Sequence, residues 1–482
     1  MALRYDATPD VREAVVIGGG IAGLTAAWRL RHRDVVVLEA SDRVGGRMHS
    51  EPYGDYWLNY GAHLLPAPGS LIDGLVDEFG LEAVPVWGSM MGLAVGDTKL
   101  TSGPVETYPF RLPIAWRDRV AFAKAGLRVQ NAVRERRRHL RSGANERGPE
   151  LRARLHEFDD GRTFRDLLGR LPRPVEEIFA CASHRATAEL DELSAGSGIG
   201  LFALVWGGRQ SLIARNLLGG SARLPQAMEE RLGARVRTSS PATAIVDHGG
   251  TLAVSYQGPG GTAEIRTRHV IVATPAPYAA SLVRDVAPAA ADALDGIRYG
   301  AFLCVAIATC ETGPTPWDDV YAMATPGRAF DMFTNQAHTL RRDGDRRPGG
   351  SLMLFAGGHG ADRLAARPDD EIVDRFVADL DDLFPGTRRL VAEARVQRWP
   401  LGNAFATPGR SRLQPALEGP LGPAGNVHLA GDYFAELGNL ESAARAGAEA
   451  ATRVDRLLIG GADDGHPPPT QSTPPRPGAT IT

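Results

Sequence analysis

The sequence predicts an α/β fold in two domains. One is built on a parallel sheet; the second is a mixed sheet with helices. Three observations predict it. Val15-Val16-Ile17 runs into Gly18-Gly19-Gly20-Ile21-Ala22-Gly23 and then into the helical stretch Leu24–Leu30: strand, tight turn and helix in succession. Strand-like runs ending in small residues recur far downstream, at Val270–Pro275 and Asn426–Asp432. The chain has 482 residues, more than one core of ordinary size holds.

The first stretch is a G-x-G-x-x-G in a Rossmann-like context. Gly18 permits the turn, Gly20 lets a pyrophosphate approach the backbone, and Gly23 lets the helix lie close on the strand. The helix start at Ile21-Ala22 offers free N–H groups and a positive dipole end to phosphate. Asp34–Glu39 reads as the second strand. It ends in an acid about 20 residues after the first glycine, where a ribose is held, with Ala40 next to it. A carboxylate repels a 2′-phosphate, so Glu39 favours FAD or NAD over NADP.

Composition narrows the function classes. The net charge of −3 gives no electrostatic footprint for nucleic acid. Met1–Asp10 is polar and does not read as a signal peptide. The uncharged run Tyr299–Cys310 is too short to span a bilayer. The three cysteines, Cys181, Cys304 and Cys310, form no C-x-x-C pair, and a reduced, cytoplasmic setting is expected. Cys181 and His184 stand without a metal-ligand partner nearby and read as packing residues; no metal is expected.

Along the chain, Leu71–Phe79 has helical apolar spacing, and 85–110 reads as short strands and turns. Trp116, Val120, Ala123 and Leu127 open a strongly basic helix that continues through Arg134–Arg141. Its charges read as a solvated face, with a surface for an acidic substrate, a partner or a membrane as the sharper alternative. Ser142–Glu150 reads as a loop, and Thr163–Leu171 and Pro174–Ser183 as helices. Gly219–Met228 opens a further helix. Ala234–Val246 and Thr251–Tyr256 read as strands around a Gly249-Gly250 turn. The apolar run Gly300–Thr309 is a buried strand of the second sheet, continued by Val320–Thr325, Phe330–Thr334 and Ser351–Ala356. Asp369–Phe384 is an amphipathic helix and Arg395–Trp399 a strand. Residues past Asp463 are rich in Pro, Thr and Ser and are expected to be a disordered tail, 463–482.

Gly45-Gly46-Arg47 and Gly61-Ala62-His63 follow the first motif, and Gly431-Asp432 with a helix from Asn439-Leu440 closes the chain. Together these resemble the flavin-containing amine oxidoreductase superfamily, which includes amine oxidases, protoporphyrinogen oxidases and carotenoid- and squalene-type desaturases. The resemblance covers roughly 11–460 and implies FAD. It implies that Gly45, Gly46 and Arg47 hold the diphosphate, and that Gly61, Ala62 and His63 run beside the flavin ring. It places Ala242 by the adenine, and Ala273 and Thr274 near the cofactor. Gly431 and Asp432 are expected at the ribityl side, and the dipole of the helix opened by Asn439 and Leu440 faces the charge that flavin gains on reduction. The FAD-binding domain is then 11–82, 216–297 and 400–462, and the substrate domain 83–215 and 298–399.

The sequence departs from the amine oxidases within that superfamily. The place of their flavin-facing lysine is taken by Cys304, and their paired aromatics map to Ala404 and Asn439, with Trp399 and Phe405 nearby. His63 is the candidate acid/base or positioning residue. The expected function is FAD-dependent removal of hydride from a small or hydrophobic organic molecule, with oxygen or another acceptor reoxidising the flavin. The alternatives are isomerisation or dehydroxylation without net redox, amine oxidation in an atypical pocket, and flavin binding without catalysis.

Overall fold

The computed structural model describes residues 11–87, 92–142, 147–206, 214–341 and 346–463. The expected tail beyond 463 and the middle of the Ser142–Glu150 loop lie outside them.

Two seven-stranded sheets organise the chain. In the first, Arg12–Ile17 lies between Val35–Leu38 and Gly261–Val272, parallel to both. Val236–Arg237 extends one side, pairing in parallel with Val35–Leu38. On the other side, Leu252–Gly258 and Ala242–Asp247 continue antiparallel, and Val427–Leu429 joins the far end of Gly261–Val272 in parallel. β-branched residues dominate these strands because both faces are covered, and Ala14, Val15, Val16, Val37 and Val270–Val272 are fully buried. The carboxyl ends of the parallel strands, at Ile17, Leu38, Val272 and Leu429, therefore share one edge of the sheet, the usual place for a ligand.

Two helices cover this edge from opposite ends of the chain. Ile21–Arg29 follows the first strand, and Leu440–Asp463 packs across it. They meet at Gly447, where an added Cβ would lie 2.0 Å from the Ala22 carbonyl oxygen. Small residues at the crossing (Ala22, Ala443, Ala444, Gly447) bring the two backbones together.

The second sheet has Arg298–Thr309 between Gly350–Gly357 and Val391–Phe405, both antiparallel to it. Leu303, Val305 and Ile307 face Phe330, Phe333, Phe376 and Leu380 in a second core under the Asp369–Leu383 helix. Ala306 and Ala308 face the other way, with Leu58 and Tyr60. The Val391–Phe405 strand is three times the length read from Arg395–Trp399. It lies at the sheet edge, where Arg395, Gln397 and Arg398 interrupt the alternation; charge on an edge strand discourages further pairing. A third core, around Val129, Phe164, Phe179 and Ile199, belongs to a helical layer formed by Trp116–Ser142, Phe164–Leu168, Arg173–Ser183 and Ala195–Trp206. The Ser142–Glu150 loop is shorter than expected at its far end: a helix, Gly148–Glu157, begins there with Pro149 in its first turn.

Candidate cofactor and substrate site

The G-x-G-x-x-G turn sits at the carboxyl end of its strand. Gly18 has φ +107°, and a Cβ there would lie 2.7 Å from the Ala273 oxygen, so the turn and the Ala273-Thr274 segment share one corner. Gly23 lies so close to Gly18 that a Cβ would be 1.9 Å from its carbonyl oxygen. Gly20 is the opposite case: among the described residues nothing stands within 4 Å of where its Cβ would be. Gly45 donates its N–H to the Gly19 oxygen at 2.8 Å, and Gly46 lies against the Gly20 Cα. The helix begun by Ile21, Ala22 and Gly23 has neither a side-chain cap nor an acid in its first turn. The result is open backbone at Gly20 beside an uncapped helix start.

Glu39 is buried. Its two oxygens accept the N–H of Gly19 at 2.6 Å and of Ser41 at 2.8 Å. Each keeps a second lone pair, and exposed Ala40 leaves that side open. Ser240 donates to the Glu39 carbonyl at 2.7 Å, which places the start of the Ala242–Asp247 strand beside it.

Arg47 and Asp432 form the centre of the site. The guanidinium forks onto the carboxylate at 2.7 and 2.9 Å and also donates to the Gly402 carbonyl. Burial disfavours both charges, but each partner outweighs it: the Arg47 pKa is raised and that of Asp432 held below the usual carboxylate range. The fork that the resemblance assigns to phosphate is thus met in this structure by Asp432. The Tyr299 hydroxyl donates to the same carboxylate at 3.4 Å. Gly61 lies on Arg47, where a Cβ would be 2.1 Å from the Arg47 oxygen, and Ala62 donates to that oxygen at 2.9 Å. Trp399 closes the other side of Gly61, its indole N–H bonded to the Tyr60 carbonyl at 2.6 Å.

Gly438 lets the closing loop approach this centre. A Cβ there would lie 2.5 Å from Asn403 Oδ1 and 2.8 Å from Asp432 Oδ2. The next residue, Asn439, caps the last helix by accepting the Ser442 N–H at 2.9 Å, so Leu440 opens that helix beside Asp432. Gly431 precedes Asp432 at the end of Val427–Leu429. The expected residues therefore converge on one edge of the first sheet, apart from Ala242, which stands further along by Glu39.

His63 is buried. Its Nδ1 pairs with the Gly61 carbonyl at 3.0 Å, which puts the proton on Nδ1 and the lone pair on Nε2. Among the described residues Nε2 has no partner, and burial lowers the pKa, so the ring is neutral. Cys304 is a buried thiol on Arg298–Thr309 whose pKa burial pushes up, which makes it a wall rather than a nucleophile. Ala404 is buried opposite Tyr299, and Asn439 is exposed, so neither forms an aromatic flank. Phe405 packs in the helical layer. Cys181 and His184 both contact Asp331; His184 Nδ1 lies 2.7 Å from Asp331 and Nε2 3.2 Å from Glu189, an ion-paired structural histidine.

Part of the basic helix proves to be internal. Arg136, largely buried, pairs with buried Glu436, three residues before Asn439; Arg128 is exposed, although its guanidinium donates to the Leu168 carbonyl. Arg117, Lys124 and Arg138 remain exposed. Among the described residues no helix is long and apolar enough to cross a membrane, and no group of side chains could hold a metal ion.

An FAD fits this arrangement. The open glycine surface over an uncapped helix start suits a diphosphate, and the buried, unpaired Thr274 Oγ1 and His63 Nε2 await polar partners. The fold and the glycine cradle define a dinucleotide-binding α/β protein. The chain belongs to the flavin containing amine oxidoreductase family, which matches residues 21–455, and its cofactor is FAD. Among curated proteins it is 29% identical to an amine oxidase [flavin-containing] A of Canis lupus familiaris, over 48% of this chain and 44% of that one. It is 38% identical to an L-amino-acid oxidase of Sistrurus catenatus edwardsii, over 16% and 15%. The match thus spans less than half the length of these relatives. Cyclohexylamine oxidase from Brevibacterium oxydans shares the fold, with TM-score 0.74 at 18% identity over 93% of this chain and all of that one. A putrescine oxidase bound to putrescine does so with TM-score 0.72 at 17% identity, over 93% and 99%.

Proposed function

We propose that this protein oxidises a small or hydrophobic organic molecule by removing hydride from one of its carbons, with oxygen or another acceptor restoring the flavin. The observation that carries this reading is the convergence of segments from both ends of the chain on the Arg47–Asp432 pair. FAD supplies the hydride acceptor. In this reading Gly20, Gly45, Gly46 and the first turn at Ile21–Gly23 hold the diphosphate. Glu39 takes a ribose hydroxyl on its free lone pairs, and Ala40 and Ala242 border the adenine. Gly61-Ala62 and Trp399 wall the ring, while Ala273 and Thr274 back the turn. Arg47 and Asp432 position one another, and Gly431 and Gly438 give backbone access. The Asn439-Leu440 helix start turns its dipole toward the charge gained on reduction. His63, neutral with a free Nε2, takes the proton lost from the adjacent substrate atom, heteroatom or carbon, as the hydride leaves carbon.

Amine oxidation is a second reading, favoured by the amine oxidases among the relatives and fold neighbours. The non-aromatic Ala404 and Asn439, and a buried thiol at Cys304, stand against an ordinary amine pocket. Anaerobic mixing of the yellow holoprotein with cyclohexylamine, 2-phenylethylamine and neutral cyclic alkenes tests both. Bleaching by a carbon substrate supports hydride removal, and bleaching by an amine with peroxide release in air restores amine oxidation. Turnover without bleaching assigns isomerisation. A protein that neither contains nor takes up FAD sinks all three.

A further inference from the structure

The structure contains a cavity of about 340 Å³, within the range of small-molecule sites. It lies between the helical layer and the second sheet, walled by Tyr108, Phe122, Phe179, Leu201 and Met332. Met332 shares an apolar cluster with Leu64 and Phe355. Leu64 follows His63, and Tyr321 of the same cluster has its ring centroid 6.5 Å from that of His63, so one wall of the cavity is packed against the His63 segment.

Among the described residues, one cation lines this apolar wall, Arg185. It follows the Arg173–Ser183 helix and, among the described residues, has neither a hydrogen bond nor an ion pair. Glu189 and Asp331, which face the neighbouring His184, are both paired with it. Glu106, also on the lining, is exposed at the rim. Burial pushes the Arg185 pKa down, opposed only by the Cys181 thiol. A guanidinium does not lose its proton in a protein, so this is a partly desolvated positive charge facing an apolar space. Holding it there without a counter-ion costs free energy that an anion entering the cavity would offset. The planar fork of arginine matches a carboxylate.

We propose that this cavity binds a molecule with an apolar body and a carboxylate head, and that Arg185 forks the carboxylate. The assignment rests on the oxidoreductase reading above and narrows its substrate class from hydrophobic molecules to hydrophobic acids. Arg185 is then a specificity residue: it sets which molecules enter and how far the reacting carbon reaches toward His63 and the flavin.

The test is calorimetric titration of the oxidised holoprotein with 4-phenylbutyrate and two neutral counterparts, 4-phenylbutanamide and 4-phenylbutanol. The carboxylate is expected to bind about tenfold or more tighter than either. Arg185→Met should bring the three affinities together while keeping amide binding, flavin absorbance and Tm, and Arg185→Lys should keep part of the preference. Equal affinities in the native protein, no binding of any of the three, or a preference that survives Arg185→Met would overturn the proposal. Calorimetry needs no turnover, so it reads this subsite independently of whether any compound bleaches the flavin.

Discussion

His63 shows how one side chain turns burial into chemistry. The bond to Gly61 fixes its tautomer, and desolvation keeps the ring neutral to a lower pH than the usual 6.5. Activity carried by its Nε2 should fall only as pH drops below that value, because protonation then removes the lone pair. His63→Asn is expected to lower kcat by about 10²-fold and to abolish that acid limb, read from pH–rate profiles. The Arg47–Asp432 pair is the other residue-scale hinge. Asp432→Asn leaves a part-buried guanidinium without its counter-charge, at about 3 kcal/mol or less. Flavin retention should fall in Asp432→Asn more than in Arg47→Lys, measured by absorbance after gel filtration.

At the scale of elements, two contacts hold the site's frame. The Ile21–Arg29 and Leu440–Asp463 helices touch backbone to backbone at Gly447. Gly447→Leu pushes a side chain into the Ala22 carbonyl, and a loss of about 3 kcal/mol together with released FAD is expected, seen as a lower Tm and a colourless protein. The second contact is His184, which ties the end of the Arg173–Ser183 helix to Asp331 and Glu189. Burial alone would lower its pKa, but the two carboxylates outweigh this and raise it to about 10. A raised histidine pKa contributes stability that is complete below about 6.5 and is lost as pH climbs through 10. Glu189, held down to about 2 chiefly by its bond to His184, contributes stability above 4.5 that disappears as pH falls toward 2. Thermal melts should therefore show the native Tm declining between pH 6.5 and 10, with a shallower decline in His184→Gln. Neither contact has a signature in sequence: Gly447 looks like one more small residue in an alanine-rich helix, and the carboxylate partners of His184 lie on separate elements.

Over the whole molecule, the first and last thirds of the chain close one edge of one sheet. FAD bound between them stabilises the native state and not the unfolded chain. Adding it to apoprotein at 100 times its Kd should stabilise by about 2.7 kcal/mol, visible as a rise in Tm. A rise confined to one of two separate melting transitions would show that the two ends are not joined through the cofactor.

Legibility followed the range of the interaction. The G-x-G-x-x-G, the acid Glu39, the glycines at 45–46 and 61 and the closing Gly431-Asp432 are local demands of backbone conformation and close approach. Each leaves a mark within a few residues, and with them came the family and its cofactor. The apolar run Gly300–Thr309 was legible because both faces of a central strand are buried; Val391–Phe405 was read short because an edge strand need not be apolar. The pairing of Arg47 with Asp432 across 385 residues, the crossing at Gly447 and an unpaired Arg185 in an apolar cavity were decided by tertiary structure alone. A charge is written in the sequence, but its partner, or the want of one, depends on which surfaces the fold brings together.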